Sequence, residues 1–167
     1  MTHLDSTRGE FTFGPLHTLE DIRAFRTLNE EWITRLFSLE AADERTLGDP
    51  QGQILDRGGQ VYMAWRGQEP VGCVALLPMG EGVFEVSKMA VAPTLRGQGV
   101  GRRLLSYALN EARSLGARRL FLGSSTRLPA AVHLYESLGF RHLPPERRPQ
   151  LPYARADVFM ELPLERA

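Results

Sequence analysis

Glu85-Val86-Ser87-Lys88-Met89-Ala90-Val91-Ala92-Pro93-Thr94-Leu95-Arg96-Gly97-Gln98-Gly99-Val100-Gly101 is the stretch that decides the fold. The β-rich run from Val83 to Val91, bounded by Gly82 and Pro93, predicts a strand. From Val100 the period changes. Val100, Leu104, Ala108, Ala112 and Leu115 recur at helical spacing, and Gly116 supplies a stop. Between strand and helix lies Arg96-Gly97-Gln98-Gly99-Val100-Gly101. Glycines let a chain turn sharply and let a ligand approach amides that a Cβ would shield. A strand, a glycine-rich turn and a helix start together point amides at the positive end of a helix dipole, which suits a phosphate or pyrophosphate.

Two familiar anion loops do not fit. A dinucleotide-binding turn wants a third glycine and an acid roughly 20 residues later. Here Arg102 takes the third position, and Arg118 to Gly123 holds no acid. The lysine-bearing phosphate loop G-x-x-x-x-G-K-[ST] does not occur in the chain. Arg96, Gly99 and Gly101 do occupy the fixed positions of [QR]-x-x-G-x-[GA].

Working outward, the strand before the turn is the last of a meander. Val61 to Trp65, a turn at Arg66 to Glu69, and Val71 to Leu77 read as a hairpin, and Pro78 to Gly82 turns into the central strand. Phe11 to His17 reads as a short first strand. Thr18 with Asp21 predicts a capped helix whose apolar stripe runs through Leu19, Ile22, Phe25, Leu28, Trp32, Ile33, Leu36 and Phe37. Glu40 to Leu47 reads as a short helix broken at Gly48-Asp49-Pro50. After Gly116, Arg118 to Gly123 is a strand that a helical crossover can set parallel to the central one. A helix through Ala131, Leu134, Tyr135 and Leu138 follows, with Pro129 near its start and Gly139 at its end. Phe140 to Leu143 is a brief strand, Pro144 to Pro152 a loop, and Arg155 to Leu162 alternates as an outer strand does. The fold class is α/β: a mixed sheet with an antiparallel N-terminal meander, a parallel βαβ unit in the C-terminal half, and helices on both faces.

The length of 167 residues fits one domain, residues 1–167 with a core of about 11–162. Basic and acidic side chains balance at 20 each, so no global positive field is expected to gather nucleic acid or an anionic membrane. The single cysteine, Cys73, lies in an apolar run and reads as a buried small hydrophobe. Met1 to Arg8 lacks the apolar core of a signal peptide, and no apolar run reaches the ~20 residues of a bilayer span. A cytoplasmic protein is expected. The four histidines show no metal-ligand spacing, so no metal is expected.

Ala131-Val132-His133-Leu134-Tyr135-Glu136-Ser137-Leu138-Gly139-Phe140 matches A-x-x-L-Y-x-x-x-G-F. With the first motif and the element order, this resembles the GNAT superfamily of N-acetyltransferases, most firmly from Glu85 to Phe140. The resemblance implies acetyl transfer from acetyl-CoA to a primary amine by direct attack, without an acyl-enzyme. It implies pantetheine along Met89, Ala90 and Val91, one of whose N–H groups would donate to the oxyanion. It also implies pyrophosphate on the amides of Arg96, Gly97, Gln98, Gly99, Val100, Gly101 and Arg102. Many relatives carry an Asn shortly before the Tyr. Leu128 and Pro129 stand there instead, leaving that polar contact to Ser124, Ser125 or Thr126.

Tyr135 matches the family's general acid, and Glu85 falls where some relatives carry a general base. A water chain is the alternative to Glu85. By strand parity Glu85 shares a face with Ser87, Met89 and Val91 unless a bulge intervenes. The acceptor, a small-molecule or peptide amine, is unspecified, with Glu30, Glu31, Trp32, Glu40 and the loop to Tyr153 as candidate contacts. Glu30 and Glu31 read either as a solvated face or as an acidic lip. A coenzyme-binding sensor without catalysis is the competing class, and a homodimer is left open.

Overall fold

The computed structural model describes residues 10–164. One seven-stranded sheet organises them, built from β1 (Phe11–Pro15), β2 (Gln60–Arg66), β3 (Glu69–Gly80), β4 (Val83–Val91), β5 (Arg119–Ser124), β6 (Arg141–His142) and β7 (Val158–Pro163). Their spatial order is β1-β2-β3-β4-β5-β7-β6. Every neighbouring pair is antiparallel except β4 and β5. The helices are α1 (Leu19–Leu36), α2 (Ala41–Gly48), α3 (Pro50–Gln53), α4 (Val100–Ser114) and α5 (Pro129–Ser137).

Two hydrophobic clusters cover the two faces of the sheet. Phe25, Ile33, Leu47, Ile54, Met63 and Cys73 bury the α1–α3 face. Leu104, Leu105, Leu120, Leu122, Tyr135 and Met160 bury the α4–α5 face. The split follows from pairing parity, because residues opposite one another on adjacent strands share a side. Thr18 caps α1 as its sequence predicts: its hydroxyl accepts the Asp21 N–H at 3.0 Å, and the Asp21 carboxylate accepts the Thr18 N–H at 3.1 Å. Trp65 Nε1 donates to the same carboxylate at 2.8 Å and so ties α1 to β2.

The closing strand differs from the sequence expectation in two ways. It begins at Val158 rather than Arg155, because Arg155 turns toward α2 and Asp157 accepts from the N–H and hydroxyl of Thr126. Nor is it an outer strand. β7 lies between β5 and β6, paired with β5 along six registered positions, and the two-residue β6 forms the edge.

The pairing of β4 with β5 sets up the site. It covers only Val83, Phe84 and Glu85 against Arg119, Leu120 and Phe121. Beyond Glu85 the two parallel strands diverge, and β4 keeps β3 on one side with no strand on the other among the described residues. A β-bulge at this point adds one residue to β4: Cys73 pairs with Ala90 and Ala75 with Ser87. The inserted turn is carried by Lys88, whose φ is +56°. The bulge reverses the parity expected for the strand. Glu85 and Ser87 oppose Leu77 and Ala75 on the α1–α3 face, whereas Met89 and Val91 pack into the α4–α5 face. Glu85 therefore does not share a face with Met89 and Val91.

Candidate active site

The divergence of β4 and β5 opens a cleft of about 380 Å³. Glu85 to Val91 form one wall, Gly123 to Ser125 and the start of α5 the other, and Trp32, Tyr153 and Arg155 close the α1–α3 side. Of the residues singled out from sequence, Glu85, Met89, Ala90, Val91, Arg96, Ser125 and Tyr135 line this one space.

At one end stands the glycine turn. Gly97 and Gly99 have φ of +83° and +80°, so both positions need a residue that tolerates the left-handed region. A Cβ at either would meet nothing within 4 Å, so the space in front of them is open. The N–H groups of Gly97, Gly99, Val100, Gly101 and Arg102 have no acceptor among the described residues. Four of them are the orphan donors that any helix start leaves, here at α4. A pyrophosphate fits such a cradle, which uses amides rather than side chains. The side chains of the turn point elsewhere. Arg96 Nη2 meets Glu31 Oε1 at 2.6 Å and clamps the turn to α1, and Arg102 bonds Ser137 Oγ on α5.

Tyr135 approaches from the α4–α5 face, packed against Phe140 and nearly buried. Its hydroxyl has no hydrogen-bond partner among the described residues, and burial pushes its pKa up to about 12. It stays protonated at neutral pH and is free to donate into the cleft. Glu85 approaches from the opposite face. Burial pushes its carboxyl up to about 7, against the pull of the Lys88 ammonium. Its side chain makes no hydrogen bond or ion pair among the described residues. A carboxyl poised near neutrality can accept a proton.

Ser125 is buried, and its hydroxyl accepts the Arg127 N–H at 3.1 Å. Ser124 also lines the cleft, whereas Thr126, the third polar residue expected near the coenzyme, is exposed, does not line it, and is occupied by Asp157. The acidic lip is also not formed. Glu30 pairs with Arg26, and Glu31 is shared between Arg35 and Arg96, which hold its carboxyl below the usual range.

A charged cluster beneath the α1–α3 side was not legible in sequence. Asp43, fully buried on α2, accepts from Lys88 Nζ at 2.6 Å and from both terminal nitrogens of Arg155 at 2.8 and 2.7 Å. Burial would raise its pKa, but the bonds from Arg155 and Lys88 hold it at about 2. Lys88 also donates to the Tyr153 hydroxyl at 3.0 Å, and Glu40 holds the Ala154 N–H at 3.2 Å. The only local hint is a lysine within an otherwise apolar strand; its partners are 45 and 65 residues away. Asp43→Asn leaves Lys88 buried beside a neutral group, and a loss of roughly 3 kcal/mol in unfolding free energy is expected in urea titrations. A loss below about 1 kcal/mol would show that the cluster holds nothing in place. Because the carboxyl is depressed, the same contribution is present above its ordinary 3.8 and fades as pH falls toward about 2.

The cleft between the two diverging parallel strands is thus lined by residues of both sequence motifs, with open amides at one end and Tyr135 and Glu85 on opposite walls. The chain belongs to the acetyltransferase (GNAT) family, whose model matches residues 22–140 and so spans both sequence motifs. It is 30% identical over 135 residues to the uncharacterized N-acetyltransferase YjgM of Escherichia coli, covering 75% of this chain and 80% of that one. Among solved structures it is similar to a GNAT-family acetyltransferase of Staphylococcus aureus, with a TM-score of 0.83 at 18% identity over 93% of this chain and 99% of that one. It is also similar to YncA of Salmonella typhimurium, a structure holding acetyl-CoA, with a TM-score of 0.70 at 19% identity over 95% of this chain and 96% of that one. The chain is thus an N-acetyltransferase. No helix among the described residues is long and apolar enough to cross a membrane.

Proposed function

We propose that this chain is a single catalytic unit that transfers acetyl from acetyl-CoA directly to a primary amine, with Glu85 taking the amine's proton and Tyr135 returning one to the leaving thiolate. The observation that carries this reading is the placement of these two groups in one cleft, from opposite faces of the sheet, each without a competing hydrogen-bond partner among the described residues. Acetyl-CoA, when bound, supplies the thioester whose acyl group is transferred. The amides of Gly97, Gly99, Val100, Gly101 and Arg102 hold its pyrophosphate, those of Arg96 and Gln98 being taken by Pro93 and Leu95, and the free edge of β4 at Met89, Ala90 and Val91 holds the pantetheine as an added strand would. An N–H on that edge donates to the acyl oxygen as negative charge gathers there. The amine attacks as the neutral base, because Glu85 near its midpoint of titration accepts the proton. Cys73 takes no part: it is buried, Asn29 Nδ2 lies 3.4 Å from its sulfur, and burial pushes the thiol up to about 12.

Acetyl-CoA is expected to raise the melting temperature by mass action and to release free thiol in the presence of an amine panel. Gly99→Val forces a β-branched residue to a φ of +80° and fills the space before the amides, and it is expected to abolish the shift. Normal acetyl-CoA binding by a folded Gly99→Val protein would show that the turn is not the cradle.

A further inference from the structure

We infer that the acceptor amine carries a carboxylate, bound where Arg127 and Arg155 converge on the ring of Phe37 at the α1–α3 side of the cleft. The inference rests on the acetyl-transfer reading above and names the class of its acceptor.

The lining of the cleft is unbalanced in charge. Arg35, Lys88, Arg96, Arg127 and Arg155 are among its lining residues, against one acid, Glu85, among the described residues. Acids outside the lining offset part of this. Glu31 serves both Arg35 and Arg96, and Asp43 with Glu40 serves Lys88 and Arg155. Arg127 makes no ion pair among the described residues. Its guanidinium lies 4.7 Å from the Phe37 centroid, and that of Arg155 lies 5.9 Å from the same ring. Asp43 and Glu40 offset the charge of Arg155, whereas Arg127 brings a second cation to the same ring with no anion beside it among the described residues.

Arg155 is ready to share a carboxylate with Arg127. Its side chain is 11% exposed, and it is fixed by Asp43 at 2.7 and 2.8 Å and by the Tyr153 ring at 4.5 Å. Asp43 engages two of the five N–H donors that a guanidinium has, which leaves donors for a second planar carboxylate. Glu85 is the only acid lining the cleft among the described residues, so a zwitterion would meet charges of the right sign at both ends. The acceptor's ammonium faces Glu85 and its carboxylate faces the guanidinium pair. A polyamine, cationic at both ends, would find the cation excess repulsive, and an amine without a carboxylate would leave the guanidinium groups unpaired.

The test sets leucine, phenylalanine, glutamate and lysine beside their α-carboxamides and the matching amines without the carboxylate. Acetyl-CoA is the donor and products are read by mass. The α-amino acids should show kcat/KM at least about tenfold above both matched sets, the worth of one charge-assisted pair. Arg127→Met keeps the packing on Phe37 and removes the charge. It should raise KM for the amino acid about tenfold with little change in kcat, and should leave the thermal shift by acetyl-CoA in place. Equal or better turnover of the carboxamides and amines would overturn the inference, as would an unchanged KM in Arg127→Met. If no set reacts while acetyl-CoA still stabilises the protein, the carboxylate inference fails and the coenzyme site stands. If acetyl-CoA neither stabilises nor loses its thioester, the reading beneath it fails.

Discussion

Tyr135→Phe is expected to lower kcat by about 10²-fold, the lower end of what a positioned acid contributes, while acetyl-CoA affinity changes little. The substitution keeps the ring against Phe140, 5.9 Å between centroids, so packing on the α4–α5 face survives. Only the hydroxyl is lost, and it has no structural partner among the described residues. A hydroxyl pushed up to about 12 holds its proton through the neutral range and so still has one to give as negative charge gathers on the departing sulfur. Wild-type turnover in Tyr135→Phe, under conditions where chemistry limits the rate, would reduce Tyr135 to a packing residue.

Glu85→Gln is expected to cost a similar factor at neutral pH and to recover as pH rises. The acceptor is an ammonium near neutrality, with a pKa of about 10.4 for an amine like that of lysine, and something must take its proton before attack. With Glu85 at about 7, wild-type kcat should rise with pH through that value and then level off. The variant should lack this step and climb toward the amine's own pKa. A mutant-to-wild-type ratio that stays near one across pH would remove Glu85 from the chemistry and leave a water chain as the proton path. Stability supplies an independent check with a fixed sign. A carboxyl raised from 4.5 to about 7 opposes folding as pH rises through that window, and the penalty is complete above it. Glu85→Gln should therefore melt higher than wild type at pH 8 and show no such gain at pH 4.

Much of this site was legible because its signals are local. The glycine turn, its flanking strand and helix, and the motif around Tyr135 each lie within a few residues of chain, where spacing and backbone demands are readable. Three features were not. The bulge at Lys88 flips the side on which Met89 and Val91 emerge, and nothing in an alternating strand announces a one-residue insertion. The β7 position depends on which strand edge the returning chain finds, so a strand that alternates as an edge strand does lies inside the sheet. The Asp43–Lys88–Arg155 cluster joins three elements remote in sequence, and its members singly read as ordinary surface charges. Glu31 shows the converse. An acid on a helix near the expected pocket reads as a substrate contact, yet two nearby arginines already hold it.

The central claim is that acetyl-CoA lies in the splay between β4 and β5 with its pyrophosphate on the α4 start. Amide hydrogen exchange, read peptide by peptide by mass spectrometry with and without saturating acetyl-CoA, tests this most directly. The account predicts slowed exchange across 97–102, where the N–H groups of Gly97, Gly99, Val100, Gly101 and Arg102 have no acceptor among the described residues, and along 89–91, with little change in β1 and β2. Protection that left both of these stretches untouched, or that appeared instead around Arg113, Arg118 and Arg119 at the opposite end of the strands, would contradict it.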